Sequence, residues 1–266
     1  MNKTPQHFSK LFEQSFLGGH KLKNRIVLLP MGTAYATSNG EVTEKTVEYY
    51  VERAKGGVGL LTVGNISPDK PNASNQLALD ADHTLMGQFE LVEKVRAHGT
   101  KIVAQINYPG RQKYPETWMD GEIISSSPLS SSLLDKTFPV PRELKKKEIS
   151  ELIDKYVKAA ARAQSVGYDM VEFHGAHGYL INQFISPYMN QRTDEYGGSL
   201  TNRMRFPLDL IKEVQQTLGP DYPIGFRISA DEFLPGGITI NESPEIARML
   251  ESAGVTYLSV SAGTFE

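Results

Sequence analysis

The sequence predicts an α/β chain whose parallel sheet curls into a TIM (β/α)8-type barrel, incomplete here, and three observations carry that prediction. Six short apolar runs, most rich in β-branched residues, recur along the 266 residues, with a helical pattern between each successive pair. Parallel strands need such crossovers. Polar residues gather after the carboxyl ends of many different strands, which suits a barrel whose strands converge on one mouth.

Taken in order, "RIVLLP" (Arg25–Pro30) reads as a strand and "TEKTVEYYVERAKGG" (Thr43–Gly57) as an amphipathic helix with a glycine stop. "VGLLTVG" (Val58–Gly64) is the second strand, followed by a helix over Thr84–His98. "KIVAQI" (Lys101–Ile106) is the third, and Lys145–Gly167 has the clearest helical period of all. "DMVEFH" (Asp169–His174), a helix over Leu200–Leu218 and "PIGFRIS" (Pro223–Ser229) follow. Ser243–Gly254 and "VTYLSVS" (Val255–Ser261) complete the alternation. The stretch from Tyr108 to Leu144 breaks the rhythm, is rich in Ser and Pro, and holds the single tryptophan, Trp118. A loop of that length suggests an excursion over the active face. No repeat or linker marks a second domain, so residues 1–266 are expected to form one domain, with residues 20–266 as the barrel.

Lys+Arg number 28 against 31 Asp+Glu, a net charge of −3, which argues against a nucleic-acid partner. No run approaches the roughly 20 apolar residues of a membrane helix, and "MNKTPQHFSKLFEQ" is not a signal peptide. The expected setting is the cytoplasm, with no membrane partner. The absence of cysteine excludes disulfides, a thiolate nucleophile and any cysteine-ligated iron–sulfur or zinc site within this chain. No metal site is expected: His174 and His177 lie close together, but zinc needs a further ligand.

The residues at the strand ends carry the chemistry. Pro30, Met31, Gly32 and Thr33 follow the first strand, Gly64 and Asn65 the second; Gln105 lies in the third, and Arg227 in the fifth. The fourth ends in His174-x-x-His177-x-Tyr179, within "HGAHGYLINQFISPYMNQRTDEYGGSLTNRMRF". Together these resemble the old yellow enzyme family of flavin-dependent ene-reductases. The likeness is strongest to the branch holding 2,4-dienoyl-CoA reductases, bile-acid oxidoreductases and trimethylamine dehydrogenase. It runs from "LFEQSFLGGHKLKNRIVLLPMGT" to "VTYLSVSAGTFE", essentially the whole chain.

The resemblance implies an FMN prosthetic group, NADH or NADPH as electron donor, and a small-molecule substrate with an activated C=C bond. Gln105 can both donate to and accept from the flavin pyrimidine edge, and Arg227 can sit where negative charge accumulates on reduction. Main-chain groups of Pro30, Met31 and Gly32 are the expected contacts, and Gly64 admits close approach of backbone. Many relatives carry Cys or Thr where Gly32 stands. His174 and His177 would donate to the substrate's carbonyl, carboxyl or thioester oxygen, and Tyr179 would protonate the α-carbon. The residues alone leave open an arginine tied to a carboxylate, structural or metal-binding histidines, and a tyrosine that merely packs. Arg192, Asp194, Arg203 and Arg205 are expected to form an ion-pair network bracing the fourth loop, and Lys145–Glu148 a solvent-facing helix start.

Family barrels have eight strands. The resemblance therefore implies that this chain is truncated at its C-terminus before the two loops that grip the flavin phosphate, so that it alone binds FMN weakly or not at all. Open parallel edges invite self-association as a homo-oligomer. Two other functions compete: an amine dehydrogenase with an aromatic cage from Tyr35, Tyr108 and Trp118, and a catalytically silent scaffold.

Overall fold

A computed structural model of the chain describes residues 8–73, 75–113, 122–131 and 139–264. A short helix α1 (Ser9–Phe12) leads into an antiparallel hairpin, β1 (Ser15–Leu17) and β2 (His20–Leu22). The alternation that follows is β3 (Val27–Leu28), α2 (Glu44–Lys55), β4 (Leu60–Ser67), a short β5 (Leu77–Ala78), α3 (Leu85–Arg96) and β6 (Lys101–Ile106). A two-residue pair, β7 (Ile124–Ser125) and β8 (Arg142–Glu143), lies in the long excursion before α4 (Lys146–Ser165). Then come β9 (Met170–Gly175), α5 (Leu180–Ile185), α6 (Leu200–Arg203), α7 (Arg205–Leu218), β10 (Ile224–Ser229), α8 (Ser243–Ser252) and β11 (Tyr257–Ser261).

The sheet runs β11-β10-β9-β6-β4-β3, strictly in chain order, and each neighbouring pair is parallel. A doubly wound sheet would reverse its order at a switch point. Here each helix crosses to the adjacent strand, and the sheet curls into part of an α/β barrel.

Side chains alternate between the two faces of a strand, and register partners share a face. Leu61, Ile102, Val171, Phe173 and Phe226 point outward into the core shared with the helices. Helix α4 meets them with Ile149, Leu152, Ile153, Tyr156, Ala160 and Ala163, buried at the helical period. Each large apolar side chain so buried contributes about 1.5–3 kcal/mol. On the inner face Leu60, Val103 and Met170 close the foot of the barrel, with Leu22 and Leu17 of the hairpin packed beneath them. Above that foot the inner face is polar.

Two predicted elements come out differently. The strand expected over Arg25–Pro30 shrinks to Val27–Leu28, because Pro30 has no N–H to donate and only β4 flanks it. The helix expected over Leu200–Leu218 breaks at Met204 into α6 and α7. Pro207 explains the break, since its ring clashes with the carbonyl of residue 203 and its missing N–H cannot bond there.

The anticipated arginine network also divides. Arg192 grips Asp194 through Nε at 3.0 Å and Nη2 at 2.6 Å, and donates to the carbonyls of Ser126 and Leu144. Arg203 instead pairs with Glu242 in the next loop, and Arg205 donates to the Glu195 carbonyl. Arg203 and Arg205 part because the helix breaks between them at Met204, and Arg192 lies in the loop before that helix. The start of α4 is not simply solvated either: Glu148 takes a bidentate pair from Arg142 at 2.8 and 2.9 Å and caps Lys145 N at 2.7 Å.

Candidate active site at the strand carboxyl ends

Strand β9 presents Glu172 and His174 on its inner face, two residues apart. Register places Gln105 and Gly225 beside Glu172, and Arg227 beside His174. After Gly175 the chain turns sharply, and His177 takes a left-handed backbone conformation (φ 62°). Its N–H donates to Ser229 Oγ at 3.0 Å, and it forms a parallel bridge to Thr264. Tyr179 stands at the N-terminal boundary of α5, a helix held by Asn182 Oδ1 accepting from Gly178 N at 2.6 Å. The three ring-bearing residues therefore converge: His174 lies 5.0 Å from His177 and 4.9 Å from Tyr179, centroid to centroid, each edge-on.

His174 Nδ1 accepts from Ala176 N at 3.3 Å, so its ring proton resides on Nε2. Burial, then His177 and the Arg227 charge, push the His174 pKa well below the usual histidine range. Burial, then Arg227, lower that of His177 to about 4. Both imidazoles are neutral at pH 7, and each can donate one hydrogen bond.

The residues expected to face a flavin gather beside this cluster. Gly64 lies against Pro30 and Gln105: a Cβ there would meet Pro30 Cβ at 2.4 Å and Gln105 Oε1 at 3.0 Å. Gly32 bridges to Gly64 but is open, with Asn65 Oδ1 at 3.8 Å the nearest atom to an added Cβ. The Met31 side chain is 60% exposed and makes no wall, which leaves its main chain as the useful part. Gln105 donates through Nε2 to Glu172 Oε1 at 2.7 Å, turning Oε1 toward Gly64. Arg227 reaches Ser259 and Ser261 at 3.4 and 3.5 Å rather than a carboxylate, and its buried Nε has no hydrogen-bond partner among the described residues. An orphaned guanidinium N–H, an amide acceptor and an open glycine edge fit the pyrimidine rim of a flavin.

The aromatic cage fares less well. Tyr108 is buried in the core, Tyr35 lies under Lys45 Nζ at 4.0 Å, and Trp118 lies outside the described residues. Among the described residues no group of three or more His, Asp or Glu is placed to hold a metal ion, and no helix is long and apolar enough to cross a membrane.

Sequence reasoning missed several participants. Glu172 is a fully enclosed carboxylate whose pKa burial raises, with Gln105, Arg227 and Tyr257 as its polar neighbours. Strand period alone marks it, two residues before His174. Ser229 and Ser261 were legible only as strand-end polar residues. Glu232 accepts from Asn182 at 3.0 Å, Ser186 at 2.8 Å and Ile238 N at 2.8 Å, locking α5 to the loop after β10. Nothing in its local sequence announces that.

With this geometry in view, comparison with known proteins is specific. The NADH:flavin oxidoreductase / NADH oxidase family matches residues 10–264. The chain is 48% identical over 263 residues to an NADH oxidase of Thermoanaerobacter brockii, covering 98% of this chain and 40% of that protein's length. It is 38% identical over 257 residues to an NADPH dehydrogenase of Clostridium acetobutylicum, covering 96% of this chain and 74% of the relative. Among solved structures, a 2-naphthoyl-CoA reductase in complex with 2-naphthoyl-CoA superposes with a TM-score of 0.90 at 30% identity, covering 96% of this chain and 41% of the other.

Proposed function

Because this chain belongs to the NADH:flavin oxidoreductase / NADH oxidase family, we propose that it carries the active-site face of an FMN-dependent oxidoreductase that reduces an activated C=C bond with electrons from NADH or NADPH. The substrate class is an α,β-unsaturated carbonyl or thioester. The observation that carries this reading is the trio of His174, His177 and Tyr179, two neutral imidazoles and a phenol within 5.0 Å, beside the inward-facing Arg227.

When bound, FMN supplies hydride to the β-carbon. Gln105 Oε1 and the Arg227 guanidinium would hold the pyrimidine rim, with main chain at Pro30, Met31, Gly32 and Gly64 along the ring. His174 and His177 donate to the activating oxygen, where negative charge grows as the β-carbon is attacked. Donors aimed there act on the transition state more than on the ground state. Tyr179 gives its proton to the α-carbon, completing the addition of hydride and proton.

The test is an anaerobic assay of the complete protein with a crotonyl-type thioester against a tertiary amine. His174→Ala and His177→Ala should each lower alkene reduction by about 10²–10³, and Tyr179→Phe should slow it while leaving ligand binding intact. Wild-type rates and affinity in both histidine variants would reduce the pair to a structural role. A titration of the 266-residue chain with FMN, read at the flavin visible band, tests the weak or absent binding expected from the sequence, and the same titration of the complete protein separates an enzyme from a silent scaffold.

A further inference from the structure

His177 is held by residues the proposed chemistry does not use. Its ring Nε2 lies 2.6 Å from Ser261 Oγ, at the carboxyl end of β11. The same oxygen lies 3.5 Å from Arg227 Nη2. A guanidinium can only donate, so Arg227 occupies one lone pair of Ser261 and the hydroxyl hydrogen is available to the other neighbour. Ser229 serves the backbone instead: it accepts from His177 N at 3.0 Å and donates to the Gly263 carbonyl at 2.8 Å. Both serines lie on inner-face positions continuous with Arg227.

We infer that Ser261 is a positioning residue which, oriented by Arg227, donates to Nε2 of His177 and so holds the ring proton of His177 on Nδ1. His174 has the opposite tautomer, because its Nδ1 accepts from Ala176 N at 3.3 Å. The two imidazoles therefore donate from unlike ring atoms, Nε2 of His174 and Nδ1 of His177. A pair separated by three residues can aim at one oxygen this way even though one member sits in a left-handed turn. The placement of the proton stands on the contacts alone; its consequence for catalysis rests on the proposed role of the pair as oxygen donors.

The experiment is long-range ¹H–¹⁵N correlation NMR on the full chain labelled with [¹⁵N]histidine at neutral pH, assigned through His174→Asn and His177→Asn. The expected result is a protonated Nδ1 and bare Nε2 for His177, with the reverse for His174. Ser261→Ala should abolish the single-tautomer pattern of His177, and Ser261→Thr, which keeps the hydroxyl, should preserve it. In the complete enzyme Ser261→Ala should raise KM for the alkene about tenfold, the loss of one hydrogen bond of ordinary strength. A wild-type His177 protonated on Nε2 would overturn the inference without any variant having to fold. So would a Ser261→Ala spectrum identical to wild type. If the tautomers are as inferred but His177→Ala reduces alkenes at the wild-type rate, the positional inference stands and the oxygen-donor reading alone fails.

Discussion

His177 couples the site to pH in a way whose sign can be worked out. Burial and the Arg227 charge hold its folded pKa at about 4, against an ordinary 6.5. Between those values the unfolded chain binds the proton and the folded chain does not, so this contribution is present above 6.5 and lost as pH falls toward 4. Buried Glu172 and Glu232 are raised, so they act with the opposite sign and favour the folded state as pH falls. The difference between wild type and His177→Asn isolates the histidine. The urea midpoint of wild type should drop relative to the variant as pH goes from about 6.5 to 4; parallel curves would show that His177 does not titrate there. The two glycines of the bridge separate folding from binding in a similar way. Gly64→Ala pushes a methyl against Pro30 Cβ at 2.4 Å and should destabilise by about 1–3 kcal/mol in denaturant unfolding. Gly32→Ala meets nothing nearer than 3.8 Å and should leave stability unchanged, so an FMN titration of this variant reads the flavin face with no folding change beneath it.

The elements show which side of the barrel carries stability. At the foot of β9, Asp169 accepts from Lys101 Nζ and Ile102 N, each at 2.9 Å, with Arg96 at 3.5 Å. This buried carboxylate ties the entrance of β9 to β6 and α3, opposite the mouth. Asp169→Ala should cost roughly 1.5–3 kcal/mol, the range for hydrogen bonds to a charged group. Flavin and substrate affinity in the folded fraction should be unaffected. A loss of flavin binding at undiminished stability would contradict this division of labour. Helices α2, α3, α4 and α8 were legible because each buries one stripe at the helical period. Helix α5 was not: all six of its residues are buried, so it has no amphipathic stripe to read.

At the scale of the molecule, the two end strands of the sheet path, β3 and β11, each have one strand neighbour among the described residues. Apolar side chains stand exposed along them and on the adjoining hairpin: Val260 at 64%, Val27 at 40% and Phe16 at 70%. Unpaired strand edges with apolar faces promote association. The chain is expected to self-associate at high concentration, and Val260→Lys should shift sedimentation toward the monomer. An unchanged distribution would place the contact elsewhere.

The local pattern of this sequence determined that there would be six parallel strands with helical crossovers. Apolar runs, glycine stops and helical periods act over a few residues and need no distant partner. It also determined the chemistry available at the mouth, since His174, His177 and Tyr179 lie within one short segment. The tertiary structure decided which face those groups share and with whom. Gln105 meets Glu172 across 67 residues, and His177 meets Ser261 across 84. Register between strands that far apart is set by packing of the whole barrel, and shifting it by one residue would turn every inner side chain outward. The polar inner face, the Ser261 contact that sets the tautomer of His177 and the Arg227 Nε left unpartnered among the described residues are consequences of that register, and of no single stretch of chain.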